Sequence, residues 1–224
     1  MIRSTLLTNL GIVHGYSTRT ESREKFLEQL GVWSEDLVVG EQVHGIRIAG
    51  VKDNDRGKTL AGIDGLVAKN LQVGLGVTFA DCAPILAVDP NAKIIGTAHA
   101  GWNGTLARIA RELTIAMKNA GADVHNIYIS IGPHIGMCCY NIMDDRANAF
   151  QKKFGDNEMI ATKILDTWYL DIGYANYQTL LEAGIPKNHI DISKLCTSCR
   201  ISEFHSFRKD PKDRFGVQLG VIVL

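Results

Sequence analysis

The sequence predicts an α/β fold of mixed β-sheets flanked by helices. Three observations carry that reading. Short runs rich in Val, Ile and Leu alternate with stretches of helical periodicity along the whole chain. The clearest helix lies between two such runs, KIIGTAHA and NIYISIGP, as in a strand–helix–strand crossover. No internal repeat or Pro/Ser/Gly-rich linker interrupts the 224 residues, which contain only five prolines, so residues 1–224 read as one domain.

The elements follow in order. Residues 21–32 form a short helix with Phe26, Leu27 and Leu30 on one face and Gly31 at its C-terminal end. Residues 36–51, around VVGEQVHGIRIAGV, are extended. VGLGVTFA and PILAVDP are apolar strands on either side of Asp81 and Cys82, and KIIGTAHA is a third, stopped by Gly101. A helix of about four turns starts near Thr105, with Leu106, Ile109, Ala110, Leu113, Met117 and Ala120 at three- and four-residue spacing and Gly121 as its stop. NIYISIGP is the next strand, and the crossover implies a locally parallel pair. Helices cover 143–154 and 171–183, the latter stopped by Gly184, and FGVQLGVIVL is a closing strand. His14 precedes GYSTR, a turn-rich segment that brings Arg19 forward.

Composition narrows the function. Lys+Arg and Asp+Glu are 24 each, which excludes a nucleic-acid binder working by bulk positive charge but leaves room for a small anion held by a few arginines. No apolar run reaches the ~18 residues of a membrane span. The N-terminal stretch lacks the apolar core and cleavage site of a secretory signal. An odd count of five cysteines speaks against a disulfide framework and for a reducing cytoplasm.

His44 in EQVHG, Cys82 in FADCAP and His99 in TAHAGWNG each sit where a strand gives way to a loop, the usual place for sites in α/β folds. Two imidazoles and a thiolate suit zinc or copper, and three protein ligands leave one coordination position open. Cys82 beside His99 equally fits a nucleophile and its base. Cys196 and Cys199 form a CxxC, and Cys138 and Cys139 are adjacent. Vicinal cysteines do not easily share one tetrahedral ion, so these four are expected to be packing residues, with no disulfide on which the fold depends. His134 follows a Gly-Pro turn as a pocket or loop residue. Trp102 stacks on a base or caps the core. The HSFRKD segment with Arg208 carries cations suited to phosphate.

The order QVHG, DG, ADCAP, AHAGWNG, GPHIGMCCY, CT and HSFRKD resembles the laccase-domain family, also labelled multicopper polyphenol oxidase or peptidoglycan editing factor. The resemblance runs from about His14 to the last strand. It implies a layered sandwich of mixed sheets and helices, similar to toxin-type cysteine deamidases. It implies a metal site at His44, Cys82 and His99, with zinc as the cofactor and copper as the alternative metal. It implies phosphorolysis of purine nucleosides, methylthioadenosine included, and deamination of adenosine. The partners are then purine nucleosides and phosphate, with no nucleic acid polymer and no membrane, in the cytoplasm; the sequence does not set the oligomeric state. The competing readings are a copper-dependent polyphenol oxidase and a Cys82-dependent amidase or peptidoglycan-editing hydrolase.

On the first reading, Asp81 is the proton-carrying carboxylate nearest Cys82, although strand alternation can turn it to the other side. Arg19 and Arg208 hold phosphate, with Arg19 at the mouth of the metal pocket. Gln42 reads a base edge or a ribose hydroxyl. Three departures from the family pattern stand out: Asn103 where HAGWRG has Arg, a shortened STRTESRE segment in place of a glycine-paired loop, and His134 where GPxIG has a small residue. The first two weaken anion binding; the third adds a nitrogen donor near the metal.

Overall fold

The computed structural model describes residues 1–70 and 72–224. In chain order the elements are α1 (Thr5–Asn9), β1 (Val13–Tyr16), α2 (Arg23–Leu30), β2 (Leu37–Gly40), β3 (Ile48–Gly50), β4 (Thr59–Leu60), β5 (Gly65–Lys69), β6 (Gly74–Phe79), β7 (Ala83–Asp89), β8 (Ile94–Ala100), α3 (Trp102–Leu106), α4 (Ile109–Ala120), β9 (Tyr128–Ile131), β10 (Asn141–Ile142), α5 (Asp144–Phe154), β11 (Ala161–Ile164), β12 (Thr167–Leu170), α6 (Ile172–Glu182), β13 (Ile190–Ile192) and β14 (Gln218–Val223).

Two mixed sheets stack face to face. One has the order β1-β14-β6-β2-β4, the other β13-β9-β7-β8-β5-β3. In the first, β2 runs parallel to β6 and β4, and the remaining pairs are antiparallel. In the second, β13–β9 and β3–β5 are parallel pairs and the rest antiparallel. A small sheet, β10-β12-β11, stands apart. The fold class read from the sequence, mixed sheets flanked by helices, is the one observed.

Alternation along β7 shows how one strand serves two layers. Ile85 and Ala87 pack with Ile109, Leu113 and Met117 of α4, whereas Leu86 and Val88 face Leu75, Val77 and Phe79 of β6. A strand covered on both faces carries a continuous apolar run, and all seven residues of β7 are buried. The outer face of the first sheet is covered by α2, whose Phe26, Leu27 and Leu30 meet Leu37, Leu219 and Val221. Ser22 caps α2 by accepting from Lys25 N, and Gly31 ends it at φ 67°, a left-handed conformation that glycine adopts without strain. Among the described residues, no helix is long and apolar enough to cross a membrane.

Three sequence expectations need correction. The segment read as turn-rich begins as strand, since Gly15 and Tyr16 continue β1 from His14, whose ring is buried, Nε2 accepting from Ser4 N at 2.9 Å and Nδ1 facing Ile12 O at 2.9 Å. The strands either side of α4 are parallel to each other but not neighbours, because β7 lies between β8 and β9, antiparallel to both. The long helix from Thr105 is broken: α3 starts directly after Gly101 and ends at Leu106, and α4 begins after Arg108, which has φ 67°. The break lets α3 leave β8 beside the cavity while α4 turns its apolar face onto the sheet. Arg108 is held in its left-handed conformation by an ion pair with Glu182 and by lying 4.8 Å over the Phe154 ring.

Candidate metal centre and cavity

His44 lies in the loop after β2, Cys82 in the turn between β6 and β7, and His99 one residue before the end of β8. One ligand atom from each lies within 4.8 Å of those of the other two. The His44 and His99 rings meet edge to face, 4.7 Å between centroids. Gly101 explains how the three approach so closely: a Cβ there would stand 3.0 Å from both Cys82 Sγ and His44 Cδ2. A side chain at this position would push against both.

Asp64, buried at the entry to β5, organises the group. Its Oδ1 accepts from His44 N at 2.8 Å, and its Oδ2 from Gly45 N at 2.8 Å and Val43 N at 3.3 Å. These three amides hold His44 at φ 61°, a conformation that costs a non-glycine residue energy. Oδ1 also lies 3.2 Å from His99 Nδ1, so Nδ1–H donates to the carboxylate, and Nε2 is the nitrogen that would ligate a metal once its proton is lost. One carboxylate therefore sets both the backbone of one ligand residue and the tautomer of another.

The electrostatics agree. Burial works to raise the Asp64 pKa, but hydrogen bonds from His99, Gly45 and Val43 outweigh it and hold the carboxyl below its ordinary range. Burial alone would depress His99; the partnership with Asp64 and Cys82 instead lifts its pKa from 6.5 to about 9. Burial would raise the Cys82 thiol, yet hydrogen bonds from His44 and His99 bring it from 9.0 to about 7. The group is thus prepared to present a thiolate, which is the ligating and nucleophilic form of cysteine.

These residues line a cavity of about 560 Å³. Trp102, Tyr140, Phe207 and Phe215 give it aromatic walls, and Arg146 and Arg208 contribute two cations. The Arg146 guanidinium lies 4.0 Å over the Trp102 ring, its NH1 donates to Tyr140 Oη at 3.2 Å, and its buried Nε has no partner among the described residues. Arg208 lies 5.1 Å over the Tyr140 ring and donates to the side chain of Asn141.

The other residues singled out in the sequence fall as follows. Asp81 lines the cavity at φ 80°, with Thr197 Oγ1, Ser206 Oγ and Arg208 N all donating to its carboxylate. Gln42 lines it too, but its amide is paired with Thr78, donating to the carbonyl at 2.8 Å and accepting from the backbone N–H at 2.8 Å. Arg19 is not among the lining residues. Its guanidinium donates to Asp210 Oδ2 at 2.6 Å and to Ile201 O and meets His205 Nδ1 at 3.0 Å, because the segment after β1 lies against the HSFRKD loop. His134 adds no donor to the metal group: it is buried with Nδ1 against Gly132 O at 2.8 Å and Nε2 toward Asp171 at 3.8 Å. Asn103 is exposed on α3. Asp64, Arg146 and Tyr140 escaped the sequence reading. The DG and GPHIGMCCY motifs contain Asp64 and Tyr140 and were a signal for both; nothing local to Arg146 marked it.

The four cysteines expected to be packing residues converge. Cys138, Cys139, Cys196 and Cys199 bring their sulfurs within 4.8 Å of one another, and all five thiols are free. The objection that vicinal cysteines point apart is answered by the turn they occupy. Cys139 N and Tyr140 N both donate to Gly136 O, and the coil brings Cys138 Sγ and Cys139 Sγ to 3.5 and 3.3 Å from Cys199 Sγ.

Two imidazoles and a cysteine sulfur at the wall of a cavity, in a fold of two stacked mixed sheets, define a laccase-like protein with a candidate metal site. The chain belongs to that family: the model of the multi-copper polyphenol oxidoreductase laccase family matches residues 9–224. Among its relatives, it is 35% identical over 215 residues to the purine nucleoside phosphorylase YlmD of Geobacillus stearothermophilus, covering 90% of this chain and 78% of that one. It is 34% identical over 198 residues to adenosine deaminase RL5 of an unknown prokaryotic organism, covering 84% of this chain and 76% of that one. The crystal structure of YlmD from Geobacillus stearothermophilus superposes with a TM-score of 0.88 at 31% identity, covering 98% of this chain and 93% of that one.

Proposed function

We propose that this protein is a zinc-dependent purine nucleoside phosphorylase that also cleaves methylthioadenosine and deaminates adenosine, working as one domain in the cytoplasm. The observation that carries the reading is the convergence of His44, Cys82 and His99 on one aromatic, arginine-bearing cavity. The relatives named phosphorylase and deaminase support it. The domain assignment is supported by the cavity lining, which runs from Gln42 to Val217.

The donor set fits zinc: two nitrogens, one thiolate prepared by its neighbours, and, among the described residues, no fourth protein ligand within the group. When bound, zinc supplies Lewis acidity at an open position. The protein's own residues do the rest. Trp102, Tyr140, Phe207 and Phe215 offer faces on which a purine stacks. Arg146 and Arg208 hold a phosphate whose oxygen attacks C1′ of the ribose while the C1′–N9 bond breaks and its electron pair leaves with the purine. The unpartnered Arg146 Nε–H supports that role. Asp81, with three donors on its carboxylate, acts as a positioning residue: it fixes the backbone of Arg208 and joins it to Thr197 and Ser206. Gln42 shapes the wall beside Thr78. Arg19 acts at one remove, by ordering the loop that carries Arg208 through Asp210.

The test is incubation of the zinc-loaded protein with a panel of nucleosides, with and without phosphate, followed by product chromatography. Free base and ribose 1-phosphate are expected only with phosphate, and inosine from adenosine without it. Release of no base from any nucleoside in phosphate would refute the phosphorylase reading. Metal analysis of protein purified without added metal separates zinc from copper.

A further inference from the structure

A second cluster of metal-ligating side chains lies outside the cavity. Cys138 and Cys139 come from the turn after β9, Cys196 and Cys199 from the loop after β13. Four sulfurs around a zinc at bonds of about 2.3 Å form a tetrahedron with edges of about 3.8 Å. The Cys138–Cys199 and Cys139–Cys199 separations are 3.5 and 3.3 Å, and all four sulfurs lie within 4.8 Å of one another. Small side-chain rotations bring them to the tetrahedral edge. The set is homogeneous and needs no fifth group to complete it.

The surrounding backbone is arranged for a thiolate. Gly136 N donates to Cys196 Sγ at 3.2 Å. Amides turned onto a sulfur carry part of a thiolate's charge. Gly136 lies directly against the cluster: a Cβ there would stand in ordinary contact with it, 3.4 Å from Cys138 Sγ and 3.5 Å from Cys196 Cβ. The two segments are already in register, through the bridge between His134 and Cys196 and the hydrogen bond from Thr197 N to His134 O at 3.0 Å.

We propose that Cys138, Cys139, Cys196 and Cys199 form a closed four-thiolate zinc site, distinct from the His44–Cys82–His99 group, that clamps one wall of the cavity. Its structural consequence follows from what the clamped segments hold. Thr197 Oγ1 donates to Asp81 Oδ1 at 2.5 Å, Ile135 N donates to Asp81 O at 2.9 Å, and Tyr140 lines the cavity. With four protein ligands the ion has no open position, so its role is to hold and not to catalyse.

The test uses a Cys82→Ser, His99→Ala variant, which removes the cavity donors and isolates the second cluster. Purified without added metal, it is expected to hold about one zinc per chain. After zinc removal under reducing conditions, cobalt(II) is expected to give the strong near-ultraviolet charge-transfer band of a four-thiolate site, abolished by one equivalent of zinc. Adding Cys196→Ser and Cys199→Ser is expected to remove both the zinc and the band. If that fuller variant does not fold, the cobalt spectrum of the first decides alone. A folded first variant with neither zinc nor a charge-transfer band overturns the proposal. So does a thiol titration of the denatured wild type, without reductant, that finds two of the five thiols missing, because the cluster is then a disulfide.

Discussion

Asp64→Asn isolates the carboxylate that organises the candidate metal centre. The substitution keeps the shape of the side chain and turns one acceptor oxygen into a donor. Whichever way the amide turns, two donors then face an NH2 group: either Val43 N and Gly45 N, or His44 N and His99 Nδ1–H. A buried donor left unpaired costs about 1–3 kcal/mol, and removing the charge from a buried ion pair costs about 3–5 kcal/mol, so a loss of about 3–5 kcal/mol is expected in the metal-free protein. His99 gives the change a pH signature. Its folded pKa lies above its unfolded one, so the stability contributed by its charge is complete below pH 6.5 and lost as pH rises through about 9. Without the Asp64 charge, that loss begins at lower pH. Metal affinity should fall about 10- to 100-fold, the range for groups that orient a ligating histidine. Urea unfolding of the metal-free protein across this pH window, with zinc competition against a chelator, measures both effects. An asparagine variant with unchanged stability and zinc affinity within twofold of wild type would refute the reasoning.

Gly101→Ala places a Cβ 3.0 Å from both Cys82 Sγ and His44 Cδ2; bound metal should fall well below one equivalent at the cavity site while circular dichroism stays native. Arg146→Ala removes a cation from the cavity and should raise the KM for phosphate about 10- to 100-fold, matching about 1.5–3 kcal/mol for a charge-assisted hydrogen bond, with deamination far less affected. Arg19→Ala breaks the contacts to Asp210 and His205 and should lower stability by about 1–3 kcal/mol, read by urea unfolding, while the KM for phosphate changes less than in Arg146→Ala. Burial opposes the Asp210 charge but Arg19 outweighs it and holds the carboxyl below 3.8, so this contribution is present above pH 3.8 and lost as pH falls through the lower folded value.

Local pattern and remote pairing differ in what they reveal. Helix α2 was legible down to its stop, because Phe26, Leu27, Leu30 and Gly31 state an amphipathic helix and its end within ten residues. The strands around Asp81 and Cys82 were legible because burial on both faces leaves a continuous apolar run. The break at Arg108 was hidden, since the apolar spacing runs across it and its cause lies in Glu182 and Phe154, far along the chain. The positions of Arg19 and Gln42 were hidden for the same reason: which loop an arginine lies against, or which strand edge an amide pairs with, is decided by tertiary partners. The convergence of the four cysteines was hidden because a rule about neighbours in sequence takes no account of the turn that brings Cys138 and Cys139 to Cys199.

Strand β14 is hydrogen-bonded to β1 on one side and to β6 on the other. A ribosome delivers β1 and β6 long before it delivers β14. Through most of synthesis, therefore, the two earlier strands have no partner along the edges they will later share, and the N-terminal strand has nowhere in its own sheet to attach. Phe207, Arg208, Phe215 and Val217 arrive just as late, so the cavity stays without one wall for the same interval. The six-stranded sheet is better placed, since β5, β7, β8 and β9 pair over short distances along the chain and can assemble while translation continues. Arrival of β14 then closes the sheet and the cavity in a single event. A stalled or truncated chain would display an open strand edge, which invites pairing with another molecule.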